Sequence, residues 1–479
     1  SVPVLSFDNV TDGYPVAWVN ATQLLLNQTY DEQGEFVQKV ATLNSDPIGA
    51  SIRTFPSFST LRSPQSTYVY DCHDSTLTVQ RTLTHELVAH ATVPFLRGSP
   101  GVSCRVWADW APDESALALV AEDQSLLVWP LNGGTPTTVG VTLAPYSTIA
   151  WSPDSQHMAV VLREPDTQWA DVGILTASGQ LERTLTVHQG SSGTFLDWLT
   201  PSILISTSRY TRWFYDLADG QLLFDWNSMP NGDGVFHQVP LVSPDQRWVF
   251  LDQTASDPTS QVATRGLKTY SLYDLVARRE VPLIFHPDLG LRFSGWSADG
   301  QVLYVVARRI WSTSPAIDGW PYGLLAIDPA TGHSTLLYPD AITVNWNGDQ
   351  SWAYVTAMAP SVNGNFGRVG EFWQPETDLH RDTRRLSETM LYGDPASDGR
   401  DPNWEISTAW SPDESRLALS DGKGRLWLSS PDGVALSLAT TLPAGVLRLL
   451  WSPDGHWLSV ERDAYLWIVP VGALDSDLL

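Results

Sequence analysis

Thiols, lysines and long apolar runs are all scarce in this sequence, and each scarcity narrows the reading. Cys72 and Cys104 are the whole thiol inventory. They form either one bridge, closing a loop of about thirty residues worth roughly 3 kcal/mol in chain entropy, or two unrelated buried thiols. No apolar run reaches the ~18 residues that a bilayer span requires. The opening Ser-Val-Pro-Val-Leu-Ser-Phe does not resemble an intact signal peptide. Basic residues number 28 against 53 acidic ones, a formal charge of −25, and only Lys39, Lys268 and Lys423 among them are lysines. Such a balance argues against DNA, RNA or anionic lipid as the main partner, since each demands a cationic surface. It favours solubility and tolerates cationic partners or divalent ions.

Chemical signatures are also missing. No Walker glycine loop, Rossmann fingerprint, EF-hand ligand series or basic–aromatic nucleic-acid platform occurs. His85-Glu86-Leu-Val-Ala-His90 approaches a zinc motif, but its histidines stand at i and i+5 where the zinc helix needs i and i+4. His73 and Asp74 beside Cys72 read as a hairpin turn. We therefore expect no catalytic residues, no metal ligands and no cofactor, calcium along a central channel being an unlocalised alternative.

What the sequence does contain is a repeat. Its 33 prolines and 34 glycines suit short strands and tight turns. Trp-Ser-Pro-Asp stands verbatim at Trp151–Asp154, Trp410–Asp413 and Trp451–Asp454. Variants begin at Trp110, Trp198, Val242, Trp296 and Trp346, and weaker candidates at Trp18 and Arg62. Successive anchors lie between 41 (Trp110 to Trp151) and 64 (Trp346 to Trp410) residues apart, the length range of one four-stranded propeller blade. Alternating runs follow each anchor, as in Arg416–Ser420 and Arg425–Ser429, separated by Pro-Asp and Asp-Gly turn signals. The tryptophan is expected to end the innermost strand and wedge between blades. Proline then starts the turn, and the aspartate bonds its own backbone two residues on. Trp110, Trp151, Trp198, Trp296, Trp346, Trp410 and Trp451 are thus structural anchors, and Asp113, Asp154, Asp413 and Asp454 turn residues.

These motifs resemble TolB-type and WD-like propeller repeats, including the N-terminal propellers of prolyl-oligopeptidase relatives, over most of the chain. No G-x-S-x-G elbow accompanies them, so the hydrolase domain of those relatives is not expected. The expected fold is an all-β propeller of roughly eight to ten four-stranded blades spanning 1–479. One large ring is favoured over two in tandem, with a strand at 2–7 closing the last blade.

Three consecutive repeats have expanded connections between their second and third strands: 252–266, 307–323 and 357–369. A long segment, 379–405, follows. They predict a partner-binding rim carrying Trp311, Asp318, Trp320, Tyr322, Phe366, Trp373, Arg381, Arg384 and Arg385. The functional expectation is a non-catalytic interaction or scaffold propeller that docks protein through its loop-rich face. The alternative is an enzyme or carbohydrate-binding propeller using the central channel, with a glycan as ligand. Sequons at Asn9, Asn20 and Asn27 fit a periplasmic, cell-surface or secreted chain.

Overall fold

The computed structural model describes residues 5–8, 17–30, 36–45, 48–56, 61–64, 67–73, 76–81, 86–92, 107–121, 123–145, 147–164, 168–189, 194–207, 211–227, 241–254, 268–285, 289–309, 323–360, 366–377, 379–382, 407–420, 424–434, 436–442, 448–462 and 465–471. Within them the chain is all strand and turn, arranged as ten four-stranded antiparallel sheets. Nine sheets use four consecutive strands. We number them as blades 1 (17–56), 2 (61–92), 3 (107–142), 4 (149–188), 5 (195–227), 6 (241–283), 7 (289–339), 8 (341–382) and 9 (407–441). Blade 10 (448–470) supplies three strands itself, and the N-terminal strand Leu5–Asp8 completes it, Leu5 lying opposite Ile468 and Asp8 opposite Tyr465. The chain divides into two compact units, 1–55 with 284–479 and 56–283. Each contains five blades.

All ten anchors are real corners, the weak ones at Trp18 and Arg62 included. Each stands in the first strand of its blade and feeds the turn to the second. In the turns, Asp154, Asp413 and Asp454 each accept the backbone N–H two residues on, at 3.1, 3.2 and 3.1 Å. The serine before proline has a role that composition does not suggest. Ser152 donates to Asp154 at 2.6 Å and accepts the N–H of His157 at 2.9 Å. Ser411 and Ser452 repeat the pattern, and Asn347 replaces serine in blade 8 with the same pair of bonds.

The anchors interlock blades by hydrogen bonds as well as by packing. The Trp151 indole N–H donates to the Asp109 carbonyl at 3.1 Å, Trp198 to Ala150 at 2.9 Å, Trp410 to Asn345 at 3.3 Å and Trp451 to Ala409 at 2.8 Å. Every acceptor is the residue just before the preceding anchor. Trp18 continues the series by donating to Leu450 at 3.1 Å, so blade 1 follows blade 10 as blade 10 follows blade 9. Trp346 reaches the Ser294 hydroxyl instead, at 3.2 Å, because the register of blade 7's first strand shifts between Phe293 and Gly295. The two anchors that are not tryptophan, Arg62 and Val242, sit on two-residue first strands. Blade 6 holds blade 5 by other means. The Tyr273 hydroxyl donates to the Leu223 carbonyl at 3.0 Å, and Arg278 bridges Asp216 and Asp219.

A third device lies in the residue after the turn aspartate, which adopts positive φ. This residue is glycine at Gly300 and Gly455, but Glu114, Ser155, Gln246, Gln350 and Glu414 occupy the same left-handed position. Several reach back to the preceding blade. Ser155 accepts the Asp113 N–H at 3.0 Å, Glu114 accepts that of Thr67 at 3.4 Å, and Gln350 donates to the Trp296 carbonyl. Gln246 is exposed at φ 57° and its side chain makes no such bond. It carries the strain without the return. Gln246→Gly is therefore expected to raise stability by about 0.5 kcal/mol, relief of the left-handed cost exceeding the added unfolded-state entropy. A higher urea midpoint checks this, and Ser155→Gly, which loses its bond, should not match it.

Candidate functional site

Blade strand order defines two ends. The anchor turns and the turns between third and fourth strands mark one. The connections from second to third strand, and from each blade to the next, leave from the other. The pairing Val305↔Leu325 and Ala359↔Gly367 confirms that 310–322 and 361–365 join second to third strands, as 255–267 does in blade 6.

The predicted rim residues fare unevenly. Trp311, Asp318, Trp320, Tyr322, Arg384 and Arg385 lie outside the described residues, as do Cys104 and His85. Phe366 opens the third strand of blade 8 opposite Pro360. Arg381 belongs to a regular fourth strand, Leu379–Asp382, opposite Phe372, where a loop was expected. Cys72 stands on the strand Tyr68–His73, and His90 on the strand Leu87–Thr92. Trp373 is a correction. It is 3% exposed, packed between Tyr338 and Trp346 with ring centroids 5.7 and 5.9 Å away. Its place near the end of a third strand turns the indole into the blade 7–blade 8 interface, so it supplies packing and no rim surface.

Sequence reading missed a cluster at the loop-bearing end of blades 4 and 5. Among the described residues, the exposed large apolar side chains include only two aromatics, Trp169 and Phe195, and both are here. Trp169 begins the third strand of blade 4, Trp169–Thr176, and pairs with His188, which ends the fourth, Leu181–His188. Trp213, from the third strand of blade 5, Thr211–Asp216, covers the other side. The imidazole thus lies between two indoles, 4.2 Å from Trp169 and 5.1 Å from Trp213, nearly parallel to the latter at 14°.

Hydrogen bonds hold His188 in place from both its ring and its backbone. The Tyr215 hydroxyl accepts the His188 backbone N–H at 2.7 Å and lies 2.6 Å from Nδ1. Its proton can serve Nδ1, an arrangement that puts the imidazole proton on Nε2. Burial pushes Tyr215 up to about 12, so it stays protonated and keeps donating. Burial also pushes His188 below the usual imidazole range, against the pull of the Asp225 carboxylate. Ser206 holds the backbone by donating to the His188 carbonyl at 2.5 Å. The outcome is an oriented imidazole set between aromatic faces, its Nε2 a donor when Tyr215 donates to Nδ1. No single segment spells this site: Trp169, His188 and Trp213 meet only through strand register and the packing of one blade on the next.

Charges nearby are matched internally. Asp171 takes Arg163 at 2.8 Å and the Thr186 hydroxyl at 3.1 Å, and the Arg212 guanidinium lies 5.2 Å over the Trp226 ring. Among the described residues no three His, Cys, Asp or Glu side chains converge to hold a metal ion. Nor do those residues contain a helix long and apolar enough to cross a membrane.

No family model and no curated protein matches the sequence. Solved structures similar to the chain include the C-terminal WD40 domain of Sif2, at 13% identity and a TM-score of 0.33, covering 76% of this chain and 95% of that one. Another is a structure of the eukaryotic initiation factor, at 13% identity and a TM-score of 0.39, covering 82% and 88%. Likenesses this distant add nothing to the site, and the fold stands on strand order and register: among the described residues the chain is an all-β propeller protein of four-stranded antiparallel blades.

Proposed function

We propose that this is a non-catalytic interaction propeller of the TolB-like kind, an extracytoplasmic subunit that docks a protein partner through the loop-bearing end of its blades. One observation carries the reading. Blades 7 and 8 pack together, and their connections from second to third strand, 310–322 and 361–365, leave from that same end, as does the 383–406 segment that links blade 8 to blade 9. Those connections and the 383–406 segment that follows carry Trp311, Trp320, Tyr322, Arg384 and Arg385, aromatic and arginine residues of the kind that dominate binding energy when buried in an interface. The opposite end is spent on the repeated Ser–Asp turns, whose polar atoms bond each other. The sequons at Asn9, Asn20 and Asn27 support an exported chain.

The test is affinity capture with the full chain and with a Trp320→Ala, Arg384→Glu, Arg385→Glu variant. One protein retained in stoichiometric amount by the wild type and lost by an equally stable variant is the expected result. Equal retention by both chains, or none by either, overturns it.

A further inference from the structure

The corner between blades 4 and 5 has features that protein docking elsewhere does not use. Trp169 is 36% exposed and Phe195 51% exposed. The same ends of these two blades carry polar atoms that are buried and unbonded. Thr194, 6% exposed, directly precedes Phe195, and its Oγ1 has no hydrogen-bond partner. The Oε1 of Gln189, the residue after His188, is also without one, as is Oγ1 of Thr148 at the entry to blade 4. A buried polar atom left unbonded costs about 1–3 kcal/mol, so a ligand that reaches one of them gains correspondingly.

We propose that this corner binds a neutral glycan, with Trp169 as the platform for a pyranose ring and His188 Nε2–H as donor to a sugar oxygen. The chemistry required is mixed. His188 offers a donor, Gln189 an acceptor, and the threonine hydroxyls can be either. Sugar hydroxyls supply both functions beside a flat C–H face that packs on an indole. A cationic or anionic ligand would need an uncommitted opposite charge, whereas Asp171, Arg163 and Arg212 are engaged with each other or with Trp226, and Asp225 is also engaged within the protein. A proline-rich peptide could stack on Trp169, but its carbonyls cannot donate to Gln189. The site stands in a different unit from the connections of blades 7 and 8, and the inference does not depend on them.

Calorimetric titration of the full chain with neutral hexose and N-acetylhexosamine tetrasaccharides, and with a proline-rich decapeptide, tests it. At least one tetrasaccharide should bind, with Trp169→Ala lowering its affinity about tenfold or more, equivalent to about 1.4 kcal/mol. Trp169→Phe should retain most of the affinity, which separates loss of the platform from loss of the fold. The Trp320→Ala, Arg384→Glu, Arg385→Glu variant should bind the sugar as the wild type does, so that failure of protein docking and failure of sugar binding are distinguishable. The proposal is overturned if no tetrasaccharide binds, if Trp169→Ala binds unchanged, or if only the peptide binds.

Discussion

Trp198→Ala should destabilise the protein by about 3–5 kcal/mol, the range for removing a buried large aromatic. Trp198 is 6% exposed, packs among Ala150, Ala159 and Val161 of blade 4, and donates its indole proton to Ala150. Truncation opens a cavity between two blades and removes the indole donor from that carbonyl. Trp198→Phe separates the two terms. It keeps most of the packing and forfeits the bond, so its cost should fall nearer 1–2 kcal/mol. Repeat proteins are held chiefly by nearest-neighbour interfaces, so the damage should be local. Amide exchange protection should fall first in blades 4 and 5, while blade 9 keeps its own. Uniform loss across all blades, or a cost for alanine below that of phenylalanine, would sink the interlock.

The fold was legible because its signal repeats. Tryptophan, proline and aspartate at fixed offsets mark the corner, and even the degraded versions at Trp18 and Arg62 proved to be corners. The serine's double bond was not legible, since serine is common in turns for weaker reasons. The indole ladder was hidden too, for it depends on which carbonyl of the neighbouring blade comes within reach. Trp373 misled for a related reason. Proximity in sequence to a long connection suggested a rim, whereas strand alternation, counted from Phe366, sends that side chain into an interface. The Trp169–His188–Trp213 corner needed two further facts: the register that sets Trp169 opposite His188, and the stacking of blade 5 upon blade 4.

Asp109→Asn should make the protein more stable at neutral pH. Asp109 immediately precedes the Trp110 anchor, and its carboxylate accepts the backbone N–H groups of Trp151 and Trp110. Burial nevertheless dominates, and with repulsion from Asp197 it pushes the group up from 3.8 to about 6. A carboxyl whose folded pKa is raised contributes stability that is fully present below its unfolded pKa, near 3.8, and lost as pH rises through about 6. A shift of about two units corresponds to about 3 kcal/mol at most. The amide keeps an oxygen for the N–H donors but can serve them less fully than two carboxylate oxygens, which offsets about 1 kcal/mol. The variant should therefore exceed the wild type by about 1–2 kcal/mol at pH 8 and lose that advantage near pH 4. Urea unfolding across that range reads the slope directly. Asp197→Asn supplies the electrostatic control: removing the neighbouring charge should move the wild-type transition to lower pH, with the Asp109 carboxyl still in place. If Asp109→Asn and the wild type keep the same pH dependence between 4 and 8, Asp109 is not the group that titrates, and the buried carboxyl beside the first rung of the ladder carries no such cost.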